Sequence, residues 1–131
     1  MDFSYVNETQ IHFGKGQIAS IKNSIAKDKK VLVIYGGGSI KKNGVYNQVI
    51  DALAEHDFIE FAGVEPNPTM ETLDKAVAIA KKEAVQYILA VGGGSVIDGS
   101  KYVAAASLYQ GDGWDILQGK YNAQIALPIG V

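Results

Sequence analysis

Two copies of one short pattern constrain this chain more than anything else in it. Tyr35-Gly36-Gly37-Gly38-Ser39-Ile40 and Val91-Gly92-Gly93-Gly94-Ser95-Val96 each close a continuous apolar run, Val31 to Tyr35 and Tyr87 to Val91. Such runs, apolar on both sides, mark strands buried on both faces of a parallel sheet. Three glycines at a strand end let the backbone take positive φ and let a ligand approach with no Cβ in the way. A helix that follows points its free N–H groups and positive dipole end at the same spot, where phosphate is the natural guest. One such turn accommodates a mononucleotide or a sugar phosphate. Two at the carboxyl end of one parallel sheet can hold separate phosphates of a single extended ligand, and a dinucleotide has that reach. The bland alternative is that glycines merely close strand-to-helix turns. Neither copy is a G-x-G-x-x-G fingerprint, and no G-x-x-x-x-G-K-[ST] loop is present, which counts against an ATP-hydrolysing P-loop.

Around the two turns, strand and helix alternate. Phe3, Tyr5, Ile11 and Phe13 alternate weakly and predict one or two short strands, with Asn7 to Thr9 as a turn. Ile18, Ile21 and Ile25 recur at helical spacing, and a second helix carries Val45, Val49, Ile50 and Leu53 toward the sheet. Phe58 to Val64 reads as a strand that stops at the stiff loop Glu65-Pro66-Asn67-Pro68. Thr69 caps a helix with the stripe Met70, Leu73, Ala76, Val77, Ala80 and Ala84. Ser95 opens another, with Val96, Ile97, Val103, Ala104 and Leu108 inward. A short helix around Trp114 (112–117) and a last strand over 124–129 complete the order. The expected fold class is α/β, an open parallel sheet with helices on both faces.

Composition removes several classes. A 131-residue chain with 47% hydrophobic and 20% charged residues builds one packed domain. A net charge of −2 gives no case for nucleic acid or an anionic membrane. With no cysteine there are no disulfides and no thiolate metal sites, which accords with a reducing, cytoplasmic setting. The first residues carry no secretory signal pattern, and no apolar run is long enough for a membrane span. Only His12 and His56 are present, both remote from the glycine turns in sequence, so the chain is poorly equipped for a zinc or iron site.

The second turn has two readings. Ser95 and Asp98 form a Ser-x-x-Asp capping box, which needs no ligand; alternatively Ser95 touches a pyrophosphate and Asp98 faces the nicotinamide end. Lys101 is either a helical partner of Asp98 or a residue bordering the cleft. At the first turn, a carboxylate just after the strand would bond a ribose 2′-hydroxyl and repel a 2′-phosphate. Gly36 to Gly38 stand there instead, followed by Ser39, Lys41 and Lys42, which favours NADP(H) over NAD(H) unless the lysines are merely a solvated helix end.

The stretches 35–44, 65–68 and 92–101, in this order and spacing, resemble the iron-containing (group III) alcohol dehydrogenases, most of all their NADP-dependent butanol dehydrogenase and aldehyde reductase branch. The resemblance spans essentially the whole chain. It implies a Rossmann-like, dehydroquinate synthase-like N-terminal domain over 1–131. Gly37, Gly38 and Ser39 would hold the adenosine 2′-phosphate side with Asn67 beside them, Gly93, Gly94 and Ser95 would cradle the pyrophosphate, and Asp98 would lie near the nicotinamide. It also implies hydride transfer between NADP(H) and a primary alcohol or aldehyde. The iron or zinc would be held by one Asp and three His on a second, all-helical domain that this chain does not contain. A homodimer through the first strands is a further implication. His12 and His56 fall outside the family motifs and read as a strand-edge and a helix-end residue. The apolar stretch 123–131 reads as a cut between two domains.

Three other readings compete. One is a stand-alone nucleotide-binding regulatory module without catalysis. A second is the first half of a lipid-kinase or phosphofructokinase-type kinase, but those enzymes resemble Gly-Gly-Asp-Gly at that turn, and here Gly94 and Ser95 stand where the Asp and the next Gly would be. The third, a response-regulator receiver, needs an acidic pair at an early strand end, where this chain has Tyr35-Gly36.

Overall fold

A computed structural model describes residues 1–131. A 3-10 turn over Gln17–Ser20 runs into α1 (Ile21–Ser24), then β1 (Val31–Tyr35), α2 (Ser39–Lys42), α3 (Val45–Ala52), β2 (Phe58–Phe61), α4 (Met70–Lys82), β3 (Tyr87–Val91), α5 (Gly94–Ala106), α6 (Trp114–Leu117) and β4 (Ile129–Gly130). The sheet order is β2-β1-β3-β4, and every pairing is parallel.

β1 is central and all five of its residues are buried, as its β-branched run requires. Its alternation splits the core in two. Leu32 and Ile34 pack with Ile88, Ala90, Leu73, Val77, Val96 and Val103, the layer of α4 and α5. Val31, Val33 and Tyr35 pack with Ile25, Ile40, Val49 and Leu53, the layer of α1 to α3. The period-2 strand thus sorts its side chains between two helical layers. Thr69 caps α4, its side chain accepting from the Thr72 amide at 3.3 Å, an interaction worth about 1 kcal/mol in general.

Several boundaries differ from the sequence reading. Residues 1–13 form no strand, and Phe3, Tyr5, Val6, Ile11 and Phe13 are exposed, because no strand edge within the chain pairs with them. His12 is therefore no strand-edge residue; its Nε2 sits 3.4 Å from Ser24 Oγ. β2 ends at Phe61 rather than Val64, since Gly63 turns left-handed (φ 87), although the Val64 amide still reaches Tyr35 O at 3.2 Å. Ala84 leaves the α4 stripe in a left-handed turn (φ 52), and Leu108 lies past the end of α5 and is exposed. The last strand is confined to Ile129–Gly130 because the Leu127 amide donates to Ala104 O of α5 at 3.0 Å and Pro128 has no amide to give. His56 follows α3 as read, and it is buried, with Nε2 2.8 Å from Ile25 O. No helix is long and apolar enough to cross a membrane.

Candidate functional site

The geometry starts from β1 and β3. They are neighbours, parallel and in register, with Tyr35 opposite Val91. Parallel strands end on the same side, so the turns 36–39 and 92–95 open beside each other at one edge of the sheet. A Cβ added at Gly37, Gly38, Gly93 or Gly94 would meet nothing within 4 Å. These four positions are bare backbone facing open space.

Gly92 differs. Its φ of +155 and a would-be Cβ only 2.8 Å from Val96 Cγ2 make it a structural glycine that lets β3 turn sharply into α5. Gly36 is also tight, with a would-be Cβ 3.2 Å from Val64 O. Each triplet therefore divides into a residue the fold needs and two that the fold leaves open.

The start of α5 is uncapped. Gly93 is the N-cap and no side chain bonds the first turn; the Ile97 amide reaches Gly93 O at 3.0 Å, while the amides of Gly94, Ser95 and Val96 have no acceptor in the chain. The expected Ser95–Asp98 capping box does not form. The helix begins at Gly94, so Ser95 already lies inside it, and its Oγ accepts from the Asn67 amide at 3.3 Å instead. Three free amides at the start of a 13-residue helix, beside two glycines whose Cβ positions are open, make an anion-seeking surface. The amides of Gly37, Gly38 and Ser39 are likewise without acceptors.

Asn67 adopts φ 50, a left-handed conformation that asparagine tolerates better than most residues. Its loop is held from behind by Glu65, whose carboxylate accepts from the Thr69 amide at 2.9 Å and from the Thr72 hydroxyl at 2.9 Å and 3.1 Å. These bonds, the Thr69 amide foremost, hold the Glu65 carboxyl below its usual range. The structure thus ties Asn67 to Ser95 of the second turn. Asp98 and Lys101 are exposed on α5 and form no ion pair with each other.

The two lysines of the first turn separate. Lys41 Nζ lies 4.8 Å from the Tyr46 ring centroid and 5.7 Å from that of Tyr35, whereas Lys42 makes no such contact. Both tyrosine hydroxyls donate to Glu60, Tyr35 at 3.0 Å and Tyr46 at 3.1 Å. Burial, then the Glu60 bond, pushes the Tyr35 phenol up to about 12. Sequence reasoning passed over this group. Its one signal is Glu60, a charge inside the otherwise apolar strand Phe58-Ile59-Glu60-Phe61.

No group of three or more His, Asp or Glu side chains in the chain is placed to hold a metal ion, and His56 already spends Nε2 on Ile25 O. A metal does not fit the residues present.

An open parallel sheet flanked by helices, with its open turns at the carboxyl edge, defines a Rossmann-like domain. The iron-containing alcohol dehydrogenase family matches residues 8–131. The chain belongs to that family. It is 49% identical to the NADPH-dependent aldehyde reductase YqhD of Escherichia coli (strain K12), covering 98% of this chain and 34% of that protein. It is 46% identical to the probable NADH-dependent butanol dehydrogenase 2 of Bacillus subtilis (strain 168), with the same coverage. The crystal structure of NADH-dependent butanol dehydrogenase A from Thermotoga maritima superposes with a TM-score of 0.93 at 52% identity, over 98% of this chain and 33% of that one. The chain spans about a third of the length of the relatives it matches.

Proposed function

We propose that this chain is the cofactor-binding domain of an oxidoreductase that exchanges hydride between NADP(H) and a primary alcohol or aldehyde. The observation that carries the reading is the in-register adjacency of β1 and β3, which sets two bare glycine turns side by side. In this reading Gly93, Gly94 and Ser95, with the free amides of α5, hold the pyrophosphate. Gly37, Gly38 and Ser39 hold the adenosine end and its 2′-phosphate, Asn67 braces the cleft through Ser95, and Asp98 lies toward the nicotinamide. When bound, the cofactor supplies the hydride; the chain's own residues bind and orient it.

The coverage of about a third of each relative supports a further part of the proposal, that a second, helical domain carries the iron or zinc and the substrate pocket. NADP(H) is favoured over NAD(H) because no acidic side chain stands in the first turn and Lys41 sits beside it. Relatives of both preferences exist, since the E. coli protein is NADPH-dependent and the B. subtilis one is described as NADH-dependent. Fluorescence titration of the chain with NADPH and NADH tests the reading. Tighter NADPH binding is expected; clearly tighter NADH binding reverses the cofactor choice, and no binding of either removes the domain's proposed role. The chain alone, with added iron or zinc, is expected to show no alcohol oxidation, and measurable turnover would contradict the two-domain division.

A further inference from the structure

Four side chains beside the first glycine turn form a continuous chain of contacts. Glu60 on β2 stands opposite Val33 of β1 and turns its carboxylate toward Tyr35, the last residue before the turn. Each of its two oxygens accepts from a different phenol, Oε1 from Tyr35 and Oε2 from Tyr46. The two rings meet edge to face, centroids 5.8 Å apart at 64°. Lys41 lies over both, closer to Tyr46. A lysine on a freely rotating stem must be ordered when it meets a ligand, whereas one already resting on a ring held from behind by a carboxylate is partly ordered in advance. The arrangement has a second consequence. Glu60 is a carboxylate on the strand next to the adenosine turn, the kind of group that bonds a ribose 2′-hydroxyl and repels a 2′-phosphate. Each of its oxygens already accepts from a tyrosine hydroxyl, and Lys41 brings the opposite charge to the ring of Tyr46, one of those two partners.

We propose that Lys41, steered by the Tyr46 ring that Glu60 anchors, is the residue by which this domain selects a 2′-phosphorylated adenosine over an unphosphorylated one. Tyr46 and Glu60 are positioning residues and touch no ligand. Lys42, one position on and without an aromatic seat, plays no part in the selection. The proposal rests on the reading that the first turn takes the adenosine end of the cofactor.

The test uses the full chain and two nucleotides that differ only in the phosphate, adenosine 2′,5′-bisphosphate and adenosine 5′-monophosphate, with binding followed by calorimetry. Lys41→Met is expected to lower the preference for the bisphosphate about tenfold, the usual effect of one lost charge-assisted contact. Lys42→Met leaves the preference within about twofold, and Lys41→Arg keeps most of it. Tyr46→Leu lowers it toward the Lys41→Met value, while Tyr46→Phe, which keeps the ring, retains more. An unchanged preference in Lys41→Met, or an equal loss in Lys42→Met, overturns the proposal while leaving nucleotide binding intact. An equal loss in Tyr46→Phe and Tyr46→Leu overturns the role of the ring, and Tyr46→Phe together with Lys41→Met decides the matter if Tyr46→Leu fails to fold. Failure of the unaltered chain to bind either nucleotide instead overturns the domain's proposed function, and this proposal with it.

Discussion

The Asn67 amide donates to Ser95 Oγ at 3.3 Å, joining the loop between β2 and α4 to the first turn of α5 across 28 residues of sequence. Asn67 reaches it from a left-handed backbone (φ 50), and Ser95 is free to accept because it is not the helix cap. A side chain expected to serve its own helix instead braces a neighbouring loop. Ser95→Ala removes the acceptor and is expected to cost about 0.5–1.5 kcal/mol locally. Hydrogen exchange should show faster exchange at the Asn67 amide, with the Val103 amide, toward the far end of α5, unchanged. Equal protection of Asn67 in both proteins would mean the bond holds nothing.

The division within the glycine triplets predicts opposite outcomes for adjacent residues. Gly94→Ala places its Cβ in open space and improves helix propensity by up to about 1 kcal/mol, so the melting temperature should hold or rise. NADPH affinity should nevertheless fall at least about tenfold, because the methyl occupies the surface proposed for pyrophosphate. Gly92→Ala does the reverse work on the fold. A Cβ at φ +155, 2.8 Å from Val96 Cγ2, is expected to cost about 1–3 kcal/mol in a chemical melt. Loss of stability in Gly94→Ala, with none in Gly92→Ala, would contradict the assignment.

Glu65 gives the loop an acid sensitivity whose sign follows from its bonds. Its folded-state pKa lies below the ordinary carboxylate value, chiefly through the Thr69 amide. A depressed carboxyl contributes stability that is present above the unfolded-state pKa and is lost as pH falls through the folded one. Thermal melts from pH 7 downward should therefore show the unaltered chain more stable than Glu65→Gln at neutral pH, with the gap closing below the ordinary glutamate range of about 4.3. A gap that stays constant across this window would show that charge is irrelevant at this position.

Ser100 sits fully buried in α5 with no partner for its hydroxyl. A buried polar atom left unpaired carries its desolvation cost uncompensated, about 1–3 kcal/mol in general. Ser100→Ala deletes that atom and adds helix propensity, so the melting temperature is expected to rise by a few degrees. A clear fall would mean that the hydroxyl has a partner in solution.

Much of the fold was legible locally. Val31 to Tyr35 and Tyr87 to Val91 are strands to the residue, because a β-branched apolar run with glycine behind it has few other fates. The capping of α4 by Thr69 was equally plain, since the cap hydroxyl and the Thr72 amide that donates to it lie three residues apart. The chain ends were not. Residues 1–13 and 123–128 alternate or are apolar enough for strands, but a strand exists only where an edge receives it, and only Ile129–Gly130 finds one. The Ser95–Asp98 box failed for a related reason, since its first residue depends on where the glycine turn lets α5 begin.

By itself, then, the sequence determined that two glycine turns follow two buried parallel strands, because periodicity and glycine content act over a few residues. Tertiary structure decided that the turns stand side by side, through the register of Tyr35 with Val91. It also gave Ser95 to Asn67 and gathered Lys41, Tyr35, Tyr46 and Glu60. Those contacts join residues up to 28 positions apart, and no local rule carries that information; only the packing of helices on a sheet of fixed strand order does.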